Sequence, residues 1–157
     1  MADYVSTDRT NYFRVKDLDA FKADLANHAI SYRGWNDRVY ASIVLDEDSS
    51  NQPQGAIALF AEDGWPSFDP DQIADELELE EFETKYEGIE DLIAAHLVPT
   101  DVAIVMGAGA EKQRYINGYA IAVNATGQFR QVLLSDIYDL AKEIAPETGA
   151  SITLAEY

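Results

Sequence analysis

From residue 101 to residue 134 the chain carries three strand-like runs in succession, broken only by glycine-bearing turns. Residues 101–106 (Asp-Val-Ala-Ile-Val-Met) read as a buried strand, and Gly107-Ala108-Gly109 reads as the turn after it. A long strand is expected over 114–124, with Gly118 at a bulge. Ala125-Thr126-Gly127 makes a tight turn into a strand over 129–134. Upstream, residues 11–16 alternate Tyr12, Arg14 and Lys16 against Phe13 and Val15, the pattern of a strand with one buried face. Asp17 is placed to cap a helix whose Leu18, Phe21, Leu25 and Ala29 share one side and which ends near His28. Strands are expected over 38–45 and 55–61, joined as a hairpin by the polar loop 46–54. Asp69, Pro70 and Gln72 give a cap, a first-turn proline and a glutamine at the third position, which together start a helix. Ile73 and Leu77, then Phe82, Tyr86, Ile89 and Ile93, continue a broken apolar stripe to about Leu97. This predicts two helices, or one bent near residues 81–85. Ser135 is expected to cap a last helix that turns Ile137, Leu140, Ala141 and Ile144 to the core and stops at Pro146 and Gly149. Residues 152–157 would add a short edge strand. This order specifies an α+β fold, one domain over residues 1–157, with a largely antiparallel sheet and helices packed on one face.

The chain has 157 residues, of which 47% are hydrophobic, enough for one ordinary core. Its 17 aromatics (9 Tyr, 6 Phe, 2 Trp) separate it from acidic disordered chains. No apolar run approaches the roughly 20 residues of a membrane span. The first residues lack the basic start and apolar stretch of a secretion signal, so a cytoplasmic protein is expected. With no cysteine, disulfides, thiolate metal sites and cysteine nucleophiles are excluded.

Net charge is -18, from 29 acids and 11 bases. Residues 62–91 hold 13 of the acids and a single base, Lys85, which makes -12 in 30 residues. Two-thirds of the net charge therefore lies in one-fifth of the chain. Such a chain repels nucleic acid and anionic membranes and attracts basic surfaces. Helical spacing over this segment would set Glu76 beside Glu80 and Glu83 beside Glu87, each like pair costing about a few tenths of a kcal/mol. Three explanations stand open: a solubilising surface, a row of carboxylates imitating a phosphate backbone, or a site for calcium or another cation.

No motif names a reaction, and neither an enzyme nor a cofactor is expected. Gly107-x-Gly109 lacks the third glycine and the following helix of a dinucleotide loop. His28 and His96 fall near helix ends, where they complement the dipole. No serine sits in a nucleophile elbow. Asp46-Glu47-Asp48 fails the EF-hand pattern at its sixth and twelfth positions, Asn51 and Ile57, and reads as a solvated loop with no metal.

Five blocks carry a resemblance: residues 10–17 (Thr-Asn-Tyr-Phe-Arg-Val-Lys-Asp), 63–67 (Asp-Gly-Trp-Pro-Ser), 109–124, 134–142 and 153–157. Over about a third of its length the chain resembles small acidic proteins of bacterial plasmids, phages and integrated elements. That cargo includes anti-CRISPR and antirestriction proteins, many of them DNA mimics. The resemblance implies a setting and carries over no catalytic residue. Glu111, Lys112, Arg114 and Tyr115 in the longest block read either as functional or as ion pairs at a strand entry.

The expectation is thus an inhibitor of a bacterial defence nuclease. Its partner is a basic nucleic-acid-binding protein, such as a Cas effector or restriction enzyme, with no direct binding to nucleic acid or membrane. Asp75, Glu76, Glu78, Glu80, Glu81, Glu83, Glu87, Glu90 and Asp91 would supply the charge from acidic helices, with Trp65 and Trp35 as exposed apolar anchors. The rivals are an immunity protein against a basic toxin nuclease, and a ligand-binding domain or enzyme with a pocket near Tyr115, Tyr119 and Glu111.

Overall fold

The computed structural model describes residues 4–48, 50, 52–112, 115–145 and 152–153. Among these residues seven strands form one sheet: β1 (Tyr4–Thr10), β2 (Tyr32–Arg33), β3 (Ile43–Asp46), β4 (Ala58–Glu62), β5 (Val102–Glu111), β6 (Tyr115–Asn124) and β7 (Phe129–Leu133). Their order is β2-β3-β4-β1-β5-β6-β7, and every pairing is antiparallel except the two-residue β2–β3 contact. Four helices among the described residues accompany it: α1 (Leu18–Asn27), α2 (Pro70–Glu76), α3 (Ile89–His96) and α4 (Ile137–Ile144). This is the expected single α+β domain.

The local signals explain the best-placed elements. The Asp17 carboxylate accepts from the Ala20 amide and starts α1, and Phe21 and Leu25 on its inner side are fully buried. The Asp69 carboxylate accepts from the Asp71 and Gln72 amides and starts α2 at Pro70. Ile89, Leu92 and Ile93 seat α3. These helices cover the face on which Thr10, Val105 and Val123 point inward.

Several expectations are corrected. Residues 11–16 do not form the expected strand; the strand in this region is β1, residues 4–10, and it takes the centre of the sheet. Past Thr10 the backbone divides its hydrogen bonds: Phe13 exchanges a pair with Ile57, while Lys16 donates to the His96 carbonyl and the Arg14 carbonyl accepts from Val98. The alternation there is real, since Phe13 is buried, but it serves two neighbours rather than one ladder. The 38–45 strand shrinks to β3. Gly107 and Gly109 do not turn the chain but lie inside β5, and the chain reverses at Lys112 with φ 46°. Ser135 caps nothing; the Asp136 carboxylate accepts from the Leu133 amide across a 3-10 turn at Leu134–Asp136. The apolar side of α4 does not reach the core: Ile137, Leu140 and Ile144 are 55%, 54% and 86% exposed. Pro146, Gly149 and all of the expected 152–157 strand except residues 152 and 153 lie outside the described residues, and those two belong to no strand.

The acidic stripe is also interrupted. Residues 77–88 form no helix. Glu78 takes φ 55°, and the Leu79 amide bonds back to the Ala74 carbonyl, which closes α2 in a left-handed turn. The chain resumes helical form only after Gly88.

Candidate functional site

The nine acids expected to carry charge are distributed over three kinds of backbone. Asp75 and Glu76 end α2, Glu78, Glu80, Glu81, Glu83 and Glu87 lie on the irregular segment, and Glu90 and Asp91 open α3. The first seven are exposed; Glu90 and Asp91 are half-buried. Asp91 accepts from the Glu87 amide, and Glu76 accepts from the Gln72 side chain. Among the described residues none of the nine is in an ion pair. Lys85 leans on the Tyr86 ring, 5.3 Å from its centre.

The irregular segment is nevertheless fastened. Tyr86 is buried, and its hydroxyl donates to Asp24 Oδ2 at 2.8 Å. The same oxygen accepts from His96 Nε2 at 2.7 Å, and Asp24 Oδ1 lies 3.3 Å from His28 Nδ1. The rings of Phe68, Phe82 and Tyr86 surround His28 at 5.1–5.7 Å. Burial pulls the Asp24 pKa upward, but the hydrogen bonds from His96 and Tyr86 and the nearby His28 outweigh it and hold the carboxyl below the ordinary range. Burial and Asp24 push the Tyr86 hydroxyl up to about 12. The histidines do sit at helix ends, as expected; the Asp24 carboxylate that joins them, 72 positions from His96, was not foreseen.

A second feature lies where β1, β5 and β6 run past α3. There the inner face becomes an open cleft of about 850 Å³, bordered by Tyr4, Asp8, Trp65, Tyr119, Leu133 and Ile137. Its floor exists because β5 offers glycine at two successive inward positions. A Cβ on Gly107 would collide with Asp8 Oδ1 and come within 2.7 Å of the Tyr119 ring, and one on Gly109 would strike the Tyr4 hydroxyl. Asp8 is only 3% exposed, with Oδ1 accepting from the Tyr119 hydroxyl at 2.8 Å and Oδ2 from Ser6 at 3.2 Å. The Tyr119 oxygen in turn accepts from the Trp65 indole at 2.7 Å. Burial first, then Asp8, pushes the Tyr119 hydroxyl well above its ordinary value.

Trp65 is therefore not an exposed anchor: it is half-buried and tied to the cleft. Trp35 is exposed and lies against Phe60, with ring centres 4.7 Å apart. Tyr115 and Tyr119 both border the cleft, as the ligand-pocket alternative expected, whereas Glu111 does not. Arg114 lies outside the described residues. Asp46 is buried rather than solvated, accepting from the Tyr12 hydroxyl at 2.6 Å and the Asp48 amide, while Glu47 pairs with Lys22. Among the described residues no group of three or more metal-ligating side chains converges, and no helix is long and apolar enough to cross a membrane. Compared with protein-family models, curated proteins and solved structures, the chain matches none.

Proposed function

We propose that the protein acts by binding: it presents a fixed field of carboxylates to the basic surface of a nucleic-acid-binding protein and so blocks it. The observation that carries this reading is the row Asp75, Glu76, Glu78, Glu80, Glu81, Glu83 and Glu87, exposed and without a cationic partner among the described residues. The buried Tyr86–Asp24 bond holds the row to α1. A protein that recognises phosphates by Lys and Arg meets the same charge here without a nucleic acid. The charges come from loop as much as from helix, so the mimicry is one of charge density rather than of helical form. The resemblance of residues 109–124 to mobile-element cargo points to a bacterial defence nuclease as the target and the host cytoplasm as the place.

The test is a pull-down of tagged protein from a bacterial lysate, washed at low and then high salt. Recovery of a nucleic-acid-binding enzyme, released by salt, is expected. Glu76→Lys, Glu80→Lys and Glu83→Lys together should abolish retention with the fold intact, since all three are exposed. Retention unchanged in that triple variant sinks the mimic. A toxin nuclease in the eluate would instead identify an immunity protein.

A second reading is favoured by the cleft. About 850 Å³ bounded by aromatic rings, with a buried carboxylate at its floor, suits a small ligand that carries a hydrogen-bond donor. A saturable thermal shift with a small amine, lost in Asp8→Asn, would support it.

A further inference from the structure

The segment 102–145, which carries no net charge, has an apolar edge that the described residues leave uncovered, and we propose that this edge pairs with a second copy of the chain, β7 against β7 about a two-fold axis. The inference is independent of the proposed function.

The local charge comes first. Residues 102–145 contain four acids (Glu111, Asp136, Asp139, Glu143) and four bases (Lys112, Arg114, Arg130, Lys142), so they are net zero in a chain of -18. A basic partner has no reason to choose this surface, and an acidic one finds nothing to neutralise. A second copy brings the same balanced surface. The remote acids are screened beyond about 8 Å at physiological salt.

Exposure comes second. β7 is an edge strand, paired only to β6 among the described residues, and all five of its residues are exposed. Phe129, Val132 and Leu133 are 58%, 62% and 43% exposed. Exposed edges with apolar side chains can template pairing, and natural sheets usually blunt them. β7 bears one charge, Arg130. The chain then leaves it through the 3-10 turn into α4, whose Ile137, Leu140 and Ile144 recur at spacings of three and four and remain open.

The register comes third. Phe129, Gln131 and Leu133 share the face that β6 continues with Val123, Ile121 and Tyr119. Phe129 and Leu133 stand two residues either side of Gln131. A two-fold axis through Gln131 therefore sets Phe129 against the partner's Leu133, and the reverse, in an antiparallel ladder with self-complementary apolar pairs on one face. The outward amides and carbonyls of both strands are satisfied together, and two seven-stranded sheets become one.

The chain has no cysteine, which makes the register directly testable. In such a ladder Gln131 faces its own copy with Cα atoms about 4.5–5.5 Å apart, inside the span a disulfide bridges. Gln131→Cys should cross-link to a covalent dimer under mild oxidation, and Asp71→Cys, equally exposed on α2, should not. Sedimentation equilibrium of the unaltered chain should give twice 17.4 kDa, and Phe129→Lys with Leu133→Lys should return it to the monomer mass. A monomer at concentrations up to about 100 µM overturns the proposal. So does a dimer that the double variant leaves intact, or cross-linking no faster at Gln131 than at Asp71. If the lysine variant fails to fold, the cysteine pair still decides.

Discussion

Replacing Asp24 by alanine should be among the most damaging single polar substitutions in this chain. The carboxylate receives the Tyr86 hydroxyl at 2.8 Å and His96 Nε2 at 2.7 Å. Asp24 and His96 are 20% and 17% exposed, His28 beside them 7%, so water replaces the lost partner poorly. A net hydrogen bond to a charged group contributes about 1.5–3 kcal/mol, and two are lost. Some water does reach the site, which places the expected loss at the low end of the sum, about 3–4 kcal/mol. For a chain of this size that lowers Tm by roughly 6–16 °C. Tyr86→Phe removes one bond and leaves His96 paired, so it should cost about 1–2 kcal/mol. Glu83→Ala, on the exposed row, should change stability by less than about 0.5 kcal/mol. Urea denaturation followed by circular dichroism gives all three. Because Asp24 is what fastens Tyr86, limited proteolysis within residues 77–88 should also quicken in Asp24→Ala. A loss below about 0.5 kcal/mol, or unchanged cleavage, would refute the idea that this network holds the acidic segment in place.

Gly107→Ala should cost about 1–3 kcal/mol by overpacking, because the new methyl meets the buried Asp8 carboxylate and the Tyr119 ring; urea midpoints check it. Raising salt should raise Tm, since screening relieves unpaired acids more than it weakens the few ion pairs; a thermal scan across ionic strengths that shows the opposite trend would contradict the charge map. Acid should destabilise through Asp101, Asp24 and Asp46. Arg14 holds Asp101 low, and hydrogen bonds outweighing burial hold the other two low. A carboxyl lowered in the native state contributes stability above its unfolded value of 3.8 and loses it as pH falls through the lower native one. Urea midpoints should therefore fall below about pH 4, and less steeply in Asp101→Asn.

The elements legible in the sequence are those with a local cause. The Asp17 and Asp69 caps, the α3 stripe, the β3–β4 hairpin and the turn at Gly127 are each settled by a few adjacent residues. What escaped depends on distant ones. β1 reads Tyr-Val-Ser-Thr-Asp-Arg-Thr, with Ser6, Asp8 and Thr10 inward, so it shows no apolar period although it lies at the centre of the sheet. Its polar inward side is intelligible only opposite Gly107 and Gly109, about 100 positions away. The signal was present in those glycines, but glycine in a strand and glycine in a turn look alike without the partner strand. The cleft was foreseen only through Tyr115 and Tyr119. The irregular run 77–88 imitated a helix because Phe82, Tyr86 and Ile89 fall at spacings of four and three. Phe82 and Tyr86 point the same way because both pack at the end of α1, on His28, not because the backbone winds as a helix.

The division of charge and the division of covering fall at the same place in the chain. Residues 1–101 carry 23 acids and 7 bases and contain α1, α2 and α3; residues 102–145 are neutral and contain the strands that outrun those helices. A chain selected only for solubility would have placed acids where apolar side chains stand open, on β7 and α4. Instead Phe129, Val132, Leu140 and Ile144 are left exposed beside a balanced set of charges, while carboxylates accumulate on a segment already pinned by Tyr86. A solubilising role alone does not predict this distribution. On the two proposals made above, the charged, fastened surface meets a basic partner and the neutral, apolar edge is where two copies join.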